Sequence, residues 1–309
     1  MGTTEDIFRS YSAEQGQNYS VVRPGYPPEL FKIIVDHHTS TGGQLDTVVD
    51  VGCGPGQAIK DLAPFFKNAI GLDPSEGMID TARASAKSEN LPIRFEVSFA
   101  ETLGVDLEPP VSDGSVDMVT AATAAHWFDM AGFWKAAARI LKPGGTVAIW
   151  IRSGAGINTT KTPNGAAIQA AVDEFYTELR PYAKSGNRLA HDLYNSLPLP
   201  WTLEVPVAEF DKDSFVRKEW NKDKTGGDDE VPVRTGGPIT PEQFEKIMGT
   251  SSPVTRWRET FPDKVGTEED LVRKLRRRME SLLHEAGIKP GEEVLRGEVA
   301  MALLLVKKI

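Results

Sequence analysis

The residues best suited to do chemistry lie in one short run, Asp50-Val51-Gly52-Cys53-Gly54-Pro55-Gly56. The run joins an apolar stretch to the start of a helical one. Glycines at such a joint take turns that a Cβ forbids, and they let backbone approach a ligand closely. The helix start adds free N–H groups facing the same space. A dinucleotide site has the spacing G-x-G-x-x-G, which would put a third glycine at position 57, where this chain has Gln57. The run is instead G-x-G-x-G with an acidic residue two positions ahead, which argues against a nicotinamide cofactor. Asp73 follows roughly 20 residues later, the separation at which a carboxylate accepts from both hydroxyls of a ribose. Asp73-Pro74-Ser75 could also be a plain helix cap. The glycine run ahead of it favours ribose.

His126, beside Trp127 and Phe128, is a candidate general base. The competing reading makes the two aromatics core packing and His126 a hydrogen-bonded wall residue. In either case His126 is expected to contact a ligand. Cys53, the chain's single cysteine, reads as a small spacer within the loop. It permits no internal disulfide, which fits a reducing compartment. His37-His38 and Asp36 are adjacent, but neighbouring residues on a helix diverge, and no His/Cys cluster has zinc-ligand spacing. No metal is expected. No G-x-S-x-G nucleophile elbow is present. Arginines able to anchor a carboxylate are Arg23, Arg152, Arg234, Arg256 and Arg258.

These groups need a scaffold. Between Leu45 and Trp150, short β-branched runs alternate with helical stretches, the pattern of a parallel sheet with helices on both faces. Strands are expected at Thr47–Val51, Ala69–Leu72, Ile93–Val97, Val116–Ala121 and Thr146–Ile151. Helices are expected near 57–66, 77–88 and 133–141, the last ended by Lys142-Pro143-Gly144-Gly145. Right-handed crossovers then give a doubly wound α/β fold with ligand at the carboxyl ends of the strands. Later in the chain, helices are expected at 166–179, 241–248 (capped by Thr240) and 268–286. An edge strand is expected at 201–207 and a last strand at 294–306, with a loop over 225–237. No clean linker interrupts the chain, so one domain is expected. It comprises N-terminal lid helices (1–44), a ligand-binding core (45–151) and a stretch (152–309) holding a cap and the remaining strands.

Composition narrows the partners. The net charge is −9, with 44 acidic and 35 basic residues. A nucleic-acid binder needs a basic face to displace counterions, so none is expected as a partner. The dense basic run Lys274–Met279 reads as the solvated face of a helix. The longest apolar run, Val299–Val306, is far short of the ~20 residues of a membrane span. The polar, acidic N-terminus is no secretory signal. A cytoplasmic protein with no membrane partner is expected.

The motifs DVGCGPG, GLDPSEGMI, SFAETL, DGSVDMV and LKPGGTVAIW, in that order and spacing, resemble the class I S-adenosylmethionine methyltransferases over residues 45–151. Tyr19–Pro27 (YSVVRPGYP) and Ala125–Asp129 (AHWFD) are similar to the fungal trans-aconitate methyltransferase group. A weaker likeness runs from Val233-Arg234 through Thr240–Phe244 to Trp257. The resemblance implies a mainly parallel seven-stranded sheet with S-adenosylmethionine as cofactor. Asp50, Gly52, Cys53, Gly54 and Gly56 would line its methionine part. Asp73 and Pro74 would hold the ribose, and Met78, Phe99, Ala100 and Glu101 would flank the adenine. Ala122 and His126 would sit where the methyl group lies, under a lid carrying Tyr19 and Arg23. Trp127, Arg152, Arg234 and Trp257 would face the acceptor.

Two departures from the family stand out. Phe99 replaces an acidic residue that many relatives use for the adenine amino group, and Ser252-Pro253-Val254 replaces an aromatic pair. The implied activity is O-methylation of a small carboxylate-bearing metabolite. A secondary-metabolite N- or S-methyltransferase and a non-catalytic cofactor-binding regulator stay open beside it.

Overall fold

The computed structural model describes residues 11–221 and 236–309. Arg234 lies outside the described residues, as does most of the loop expected at 225–237. The chain divides into two compact units. One holds Met1–Ile151, Asp192–Lys218 and Ala302–Ile309; the other holds Arg152–His191 and Glu219–Met301. The stretch after Arg152 is therefore not a single block, because two of its segments belong with the first unit.

The first unit opens with α1 (Ala13–Val22) and α2 (Pro28–Ser40). Ser12 starts α1 through a reciprocal cap: its hydroxyl accepts from the Gln15 N–H while the Gln15 side chain accepts from the Ser12 N–H. Strands β1 (Thr47–Val51), β2 (Asn68–Asp73), β3 (Ile93–Val97) and β4 (Val116–Ala122) follow. Between them lie α3 (Gln57–Leu62) and α4 (Glu76–Ser88); α5 (Met130–Ile140) leads into β5 (Leu141–Ile157). Val48, Val49, Met118, Val119, Val147 and Ile149 are sealed from solvent. Strands covered on both faces read as unbroken apolar runs for this reason.

The remaining strands are β6 (Phe210–Trp220), β7 (Gly237–Ile239) and β8 (Leu295–Lys308). They complete an eight-stranded sheet in the order β3-β2-β1-β4-β5-β8-β6, with β7 antiparallel to β8. Strands β3, β2, β1, β4 and β5 are mutually parallel. The sheet grows one way from β1 to β3 and the other way from β4, so the loops after β1 and β4 part at a topological switch point. Ligands of doubly wound sheets bind there.

Two expectations about strands fail for local reasons. Trp201–Val207 is not a strand: Pro200–Thr202 is a single 3₁₀ turn, and the Val207 N–H bonds back to the Pro200 carbonyl. Pro198, Pro200 and Pro206 each lack a ladder donor. The strand lies further on, at β6, where no clean alternation announces it. The Lys142–Gly145 run does not separate α5 from β5. Pairing begins at Val116 with Leu141 and resumes at Met118 with Thr146, so the run is a bulge within the strand. Gly144, at φ 77°, supplies its left-handed turn.

The second unit holds α6 (Gly165–Leu179), α7 (Ser185–His191), α8 (Pro241–Gly249), α9 (Ser252–Thr260) and α10 (Leu271–Glu285). Phe175, Val254, Leu275 and Met279 belong to its buried core. On α10 the helical repeat buries Leu271, Leu275, Met279 and Leu282. The basic run faces outward among acids: Arg276 pairs with Glu245 and Glu280, and Arg277 with Glu268. No described helix is long and apolar enough to cross a membrane.

Candidate cofactor site

The loop between β1 and α3 carries three glycines with positive φ: Gly52 (64°), Gly54 (54°) and Gly56 (88°). The space around them differs. A Cβ on Gly52 would come within 2.6 Å of the Ala124 Cβ, and one on Gly56 within 2.9 Å of the Phe95 ring. A Cβ on Gly54 would meet nothing within 4 Å. Gly52 and Gly56 are thus fixed by close packing, while Gly54 borders open space.

Asp73, at the end of β2, organises this loop. Its Oδ2 accepts from the Gly54 N–H at 2.9 Å and its Oδ1 from the Ser75 N–H at 2.9 Å. Asp73 thus braces both the glycine loop and the turn before α4. Ser75 does the capping of α4, accepting from the Met78 N–H. Cys53 is buried, and its burial pushes the thiol pKa well up, which suits a spacer and not a nucleophile.

Asp50 is sealed within β1. Its Oδ1 accepts from the Thr120 hydroxyl at 2.6 Å, but its Oδ2 has no hydrogen-bond partner. Burial, reinforced by the charge of Asp73, outweighs the Thr120 hydrogen bond and lifts the Asp50 pKa to about 7. A half-satisfied buried carboxylate is costly unless something cationic or donating completes it. Its position beside the loop fits the ammonium group of an amino-acid ligand.

His126 lies in a 3₁₀ turn, Ala125–Trp127, just past β4 and is 7% exposed. Its Nδ1 is 2.7 Å from the Tyr194 hydroxyl, and its ring centroid is 4.5 Å from that of Trp127. Burial lowers the imidazole pKa to about 3. His126 is therefore neutral at any ordinary pH, and it is a poor match for a general base working near neutrality. Tyr194, missed by the sequence reading, is as closely sealed as His126. It lies in a proline-flanked stretch far along the chain, and nothing in its spacing announces it. Tyr26, whose hydroxyl donates to Thr123 Oγ1 at 3.0 Å, sits edge-on to Trp150 near the same strand ends.

The N-terminal helix is tied directly to the loop. Gln57, which opens α3, donates its amide to the carbonyls of Arg23 (2.8 Å) and Ser20 (3.3 Å). The residue that breaks the dinucleotide fingerprint thus has a positive role as an anchor for α1. Arg23 lies over the Tyr19 ring, 5.4 Å from its centroid. Gly16 packs on α4 so closely that a Cβ would reach Thr81 Oγ1 at 2.7 Å.

Around the expected adenine position, Met78 and Ala100 are buried while Phe99 is 42% exposed. Glu101 accepts from the Asp129 N–H at 2.8 Å, so one of its oxygens serves the approach to α5. Pro74 and Ala122 sit at the ends of β2 and β4.

Of the acceptor candidates, Trp257 lies in the second unit's core, its ring 5.1 Å from that of Phe261, which marks a packing position. Arg256 bonds the Tyr182 carbonyl and Asn187, and Arg258 pairs with the buried Asp270. Both guanidiniums are committed within that unit. Arg152 and Trp127 are half-buried.

With this geometry in view, residues 49–149 match the family model of a methyltransferase domain. The chain is 38% identical over 146 residues to a candidate methyltransferase of Dictyostelium discoideum, covering 47% of this chain and 49% of that one. It is 35% identical over 136 residues to a probable S-adenosylmethionine-dependent methyltransferase of Saccharomyces cerevisiae, covering 44% and 45%. It is 34% identical over 149 residues to methyltransferase cfoB of Aspergillus candidus, covering 48% and 45%. The chain thus spans about half the length of these curated relatives. A solved structure of a candidate type II methyltransferase from Anaeromyxobacter dehalogenans matches 92% of this chain and 97% of its own, at 25% identity and a TM-score of 0.61. Residues 49–149 form a methyltransferase domain, the class of enzyme domain whose methyl donor is S-adenosylmethionine.

Proposed function

We propose that the whole chain is an S-adenosylmethionine-dependent methyltransferase acting on a small molecule, and that it methylates an oxygen of a carboxylate-bearing metabolite. The observation that carries the first part is the pairing of an open glycine turn at Gly54 with two carboxylates, the half-satisfied Asp50 and the loop-bound Asp73. In this reading Asp50 receives the cofactor's ammonium group and Asp73 its ribose hydroxyls. Met78, Phe99, Ala100 and Glu101 flank the adenine, while Tyr19 and Arg23 cover it. When bound, the cofactor supplies a methyl group made electrophilic by its sulfonium.

The second part rests on His126. An amine or alcohol acceptor must lose a proton, and a histidine held near pKa 3 is poorly suited to take it. A carboxylate is already ionised at neutral pH and needs only to be held in line in a dry site. Trp127 is the acceptor contact of the first unit in this proposal. The YSVVRPGYP and AHWFD segments support a place near the trans-aconitate methyltransferase group. The N- or S-methyltransferase readings share the cofactor site and differ in the acceptor, and the regulator reading shares it without transferring a methyl group.

The test is transfer of label from methyl-labelled S-adenosylmethionine to a panel of mono-, di- and tricarboxylic acids, amines and thiols. The expected product is a base-labile methyl ester of an acid. Label confined to amines or thiols would overturn the carboxylate assignment. Cofactor binding with no transfer to any of them would favour a regulator.

A further inference from the structure

Tyr194 reaches His126 by an unusual backbone route. Leu193 and Tyr194 are consecutive non-glycine residues with left-handed φ values, 51° and 62°. Such a conformation is strained for a residue with a Cβ and persists only where surroundings enforce it. The enforcement is visible. Arg217, on β6, donates to the Leu193 carbonyl at 2.7 Å and to the Tyr194 carbonyl at 3.5 Å. The Asn195 and Leu197 N–H groups close the turn onto the Asp192 and Tyr194 carbonyls. The product of this arrangement is a phenol sealed from solvent and placed 2.7 Å from one imidazole nitrogen.

The direction of that hydrogen bond decides what His126 can do. The phenol is sealed from solvent, and among the described residues its hydroxyl has one hydrogen-bond partner, Nδ1 of His126. A buried hydroxyl proton with no other acceptor among the described residues must bridge to that nitrogen, since pointing it elsewhere would leave it unsatisfied. A neutral imidazole nitrogen is a good acceptor for it. The other ring nitrogen, Nε2, has no hydrogen-bond partner among the described residues, and it is not among the side-chain atoms sealed without one.

We propose that Tyr194 donates to Nδ1 of His126 and fixes the ring in its Nε2–H form, so that His126 offers the site a hydrogen-bond donor and not a base. Tyr194 and Arg217 are then positioning residues. Resting on the methyltransferase reading above, the proposal gives Nε2–H a role: it holds one carboxylate oxygen of the acceptor while the other attacks.

The test is the imidazole ¹⁵N spectrum of the full chain labelled at histidine, recorded without donor or acceptor. The His126 signal is assigned by its loss in His126→Gln. The expected pattern is the Nε2–H tautomer in the wild type, changing to a tautomer mixture in Tyr194→Phe and shifting partway in Arg217→Met. An Nδ1–H pattern in the wild type overturns the proposal even if neither variant folds. An unchanged His126 signal in Tyr194→Phe overturns it too. Because the spectrum needs no turnover, it stands or falls separately from the methyltransferase reading. In turnover, Tyr194→Phe is expected to lower kcat about 10-fold, the worth of one hydrogen bond, with cofactor Kd unchanged. A fall in cofactor affinity of the same size would mark a merely structural role.

Discussion

Two aspartates are buried in neighbouring strands, and the protein treats them in opposite ways. Asp117, at the start of β4, receives the Thr47 N–H at 2.8 Å and the Lys142 ammonium at 2.9 and 3.0 Å. Asp50, near the end of β1, has one hydroxyl donor and an unpartnered oxygen. The two sealed histidines repeat the contrast. At the amino end of the sheet, the Nε2 of His38 meets the Gln44 carbonyl at 2.7 Å, and a carbonyl can only accept, so that nitrogen carries the proton. Its Nδ1 therefore accepts from the Thr146 hydroxyl, which in turn receives the Lys307 ammonium. His126, at the carboxyl end, has one nitrogen bonded and one not. One end of the sheet satisfies Asp117 and His38 internally; at the other, Asp50 and His126 each keep one polar atom without a hydrogen-bond partner among the described residues, where the proposed ligand would sit.

The contrast can be broken by substitution. The largest effect is expected from Asp73→Ala, which removes the proposed ribose acceptor and the brace on the Gly54 and Ser75 N–H groups together. S-adenosylmethionine affinity should fall by about two orders of magnitude, from two charge-assisted hydrogen bonds of about 1.5 kcal/mol or more each. Calorimetry showing unchanged affinity would remove Asp73 from the site. Asp117→Ala should do the reverse: a loss of about 2–3 kcal/mol in urea unfolding, reduced because Lys142 is partly exposed, with cofactor affinity intact.

The closed end also has a pH signature. Burial is the main cause holding the His38 pKa below its ordinary value. The unfolded chain therefore binds a proton near pH 6.5 that the folded chain refuses until lower pH. This contribution to stability is full above about pH 6.5 and is lost as pH falls toward the folded pKa. In His38→Gln that acid-side loss should shrink, as read from unfolding midpoints between pH 5 and 7.5. The smallest effect belongs to Gln57→Ala. Cutting the amide bonds to Ser20 and Arg23 should weaken cofactor binding by a factor of about 5 and expose α1 to faster proteolysis.

The sequence carried the core of this picture and missed its edges. The glycine run, Asp50 and Asp73 were readable because parallel strands are continuous apolar runs and the turn between strand and helix demands glycine. Strands β1 and β3 were placed to the residue. Tyr194 and Arg217 were not readable, since long-range packing sets a left-handed turn in a proline-flanked segment that no local period encodes. Strand β6 was missed because Phe210–Trp220 is largely polar, while the apolar Trp201–Val207 stretch drew the assignment to itself. Trp257, which a resemblance suggested as an acceptor contact, packs in the second unit's core, and its sequence position alone does not announce that packing.

In the proposed site the buried Asp50 carboxylate, with one oxygen bonded to Thr120 and the other without a partner, is completed by a ligand ammonium. A carboxyl held at about 7 in place of its ordinary 3.8 makes the ionised form cost on the order of 4 kcal/mol. That native preference for the protonated form adds stability below pH 3.8, and the contribution is lost as pH rises through 7. A ligand ammonium recovers it. The most direct measurement is calorimetric titration with S-adenosylmethionine at pH 6 and pH 8, on the wild type and on Asp50→Asn. The account predicts about 10-fold tighter binding to the wild type at pH 8 than at pH 6, and weaker, pH-independent binding to a variant at least as stable as the wild type at pH 8. Equal affinity and equal pH dependence in the two proteins would contradict it.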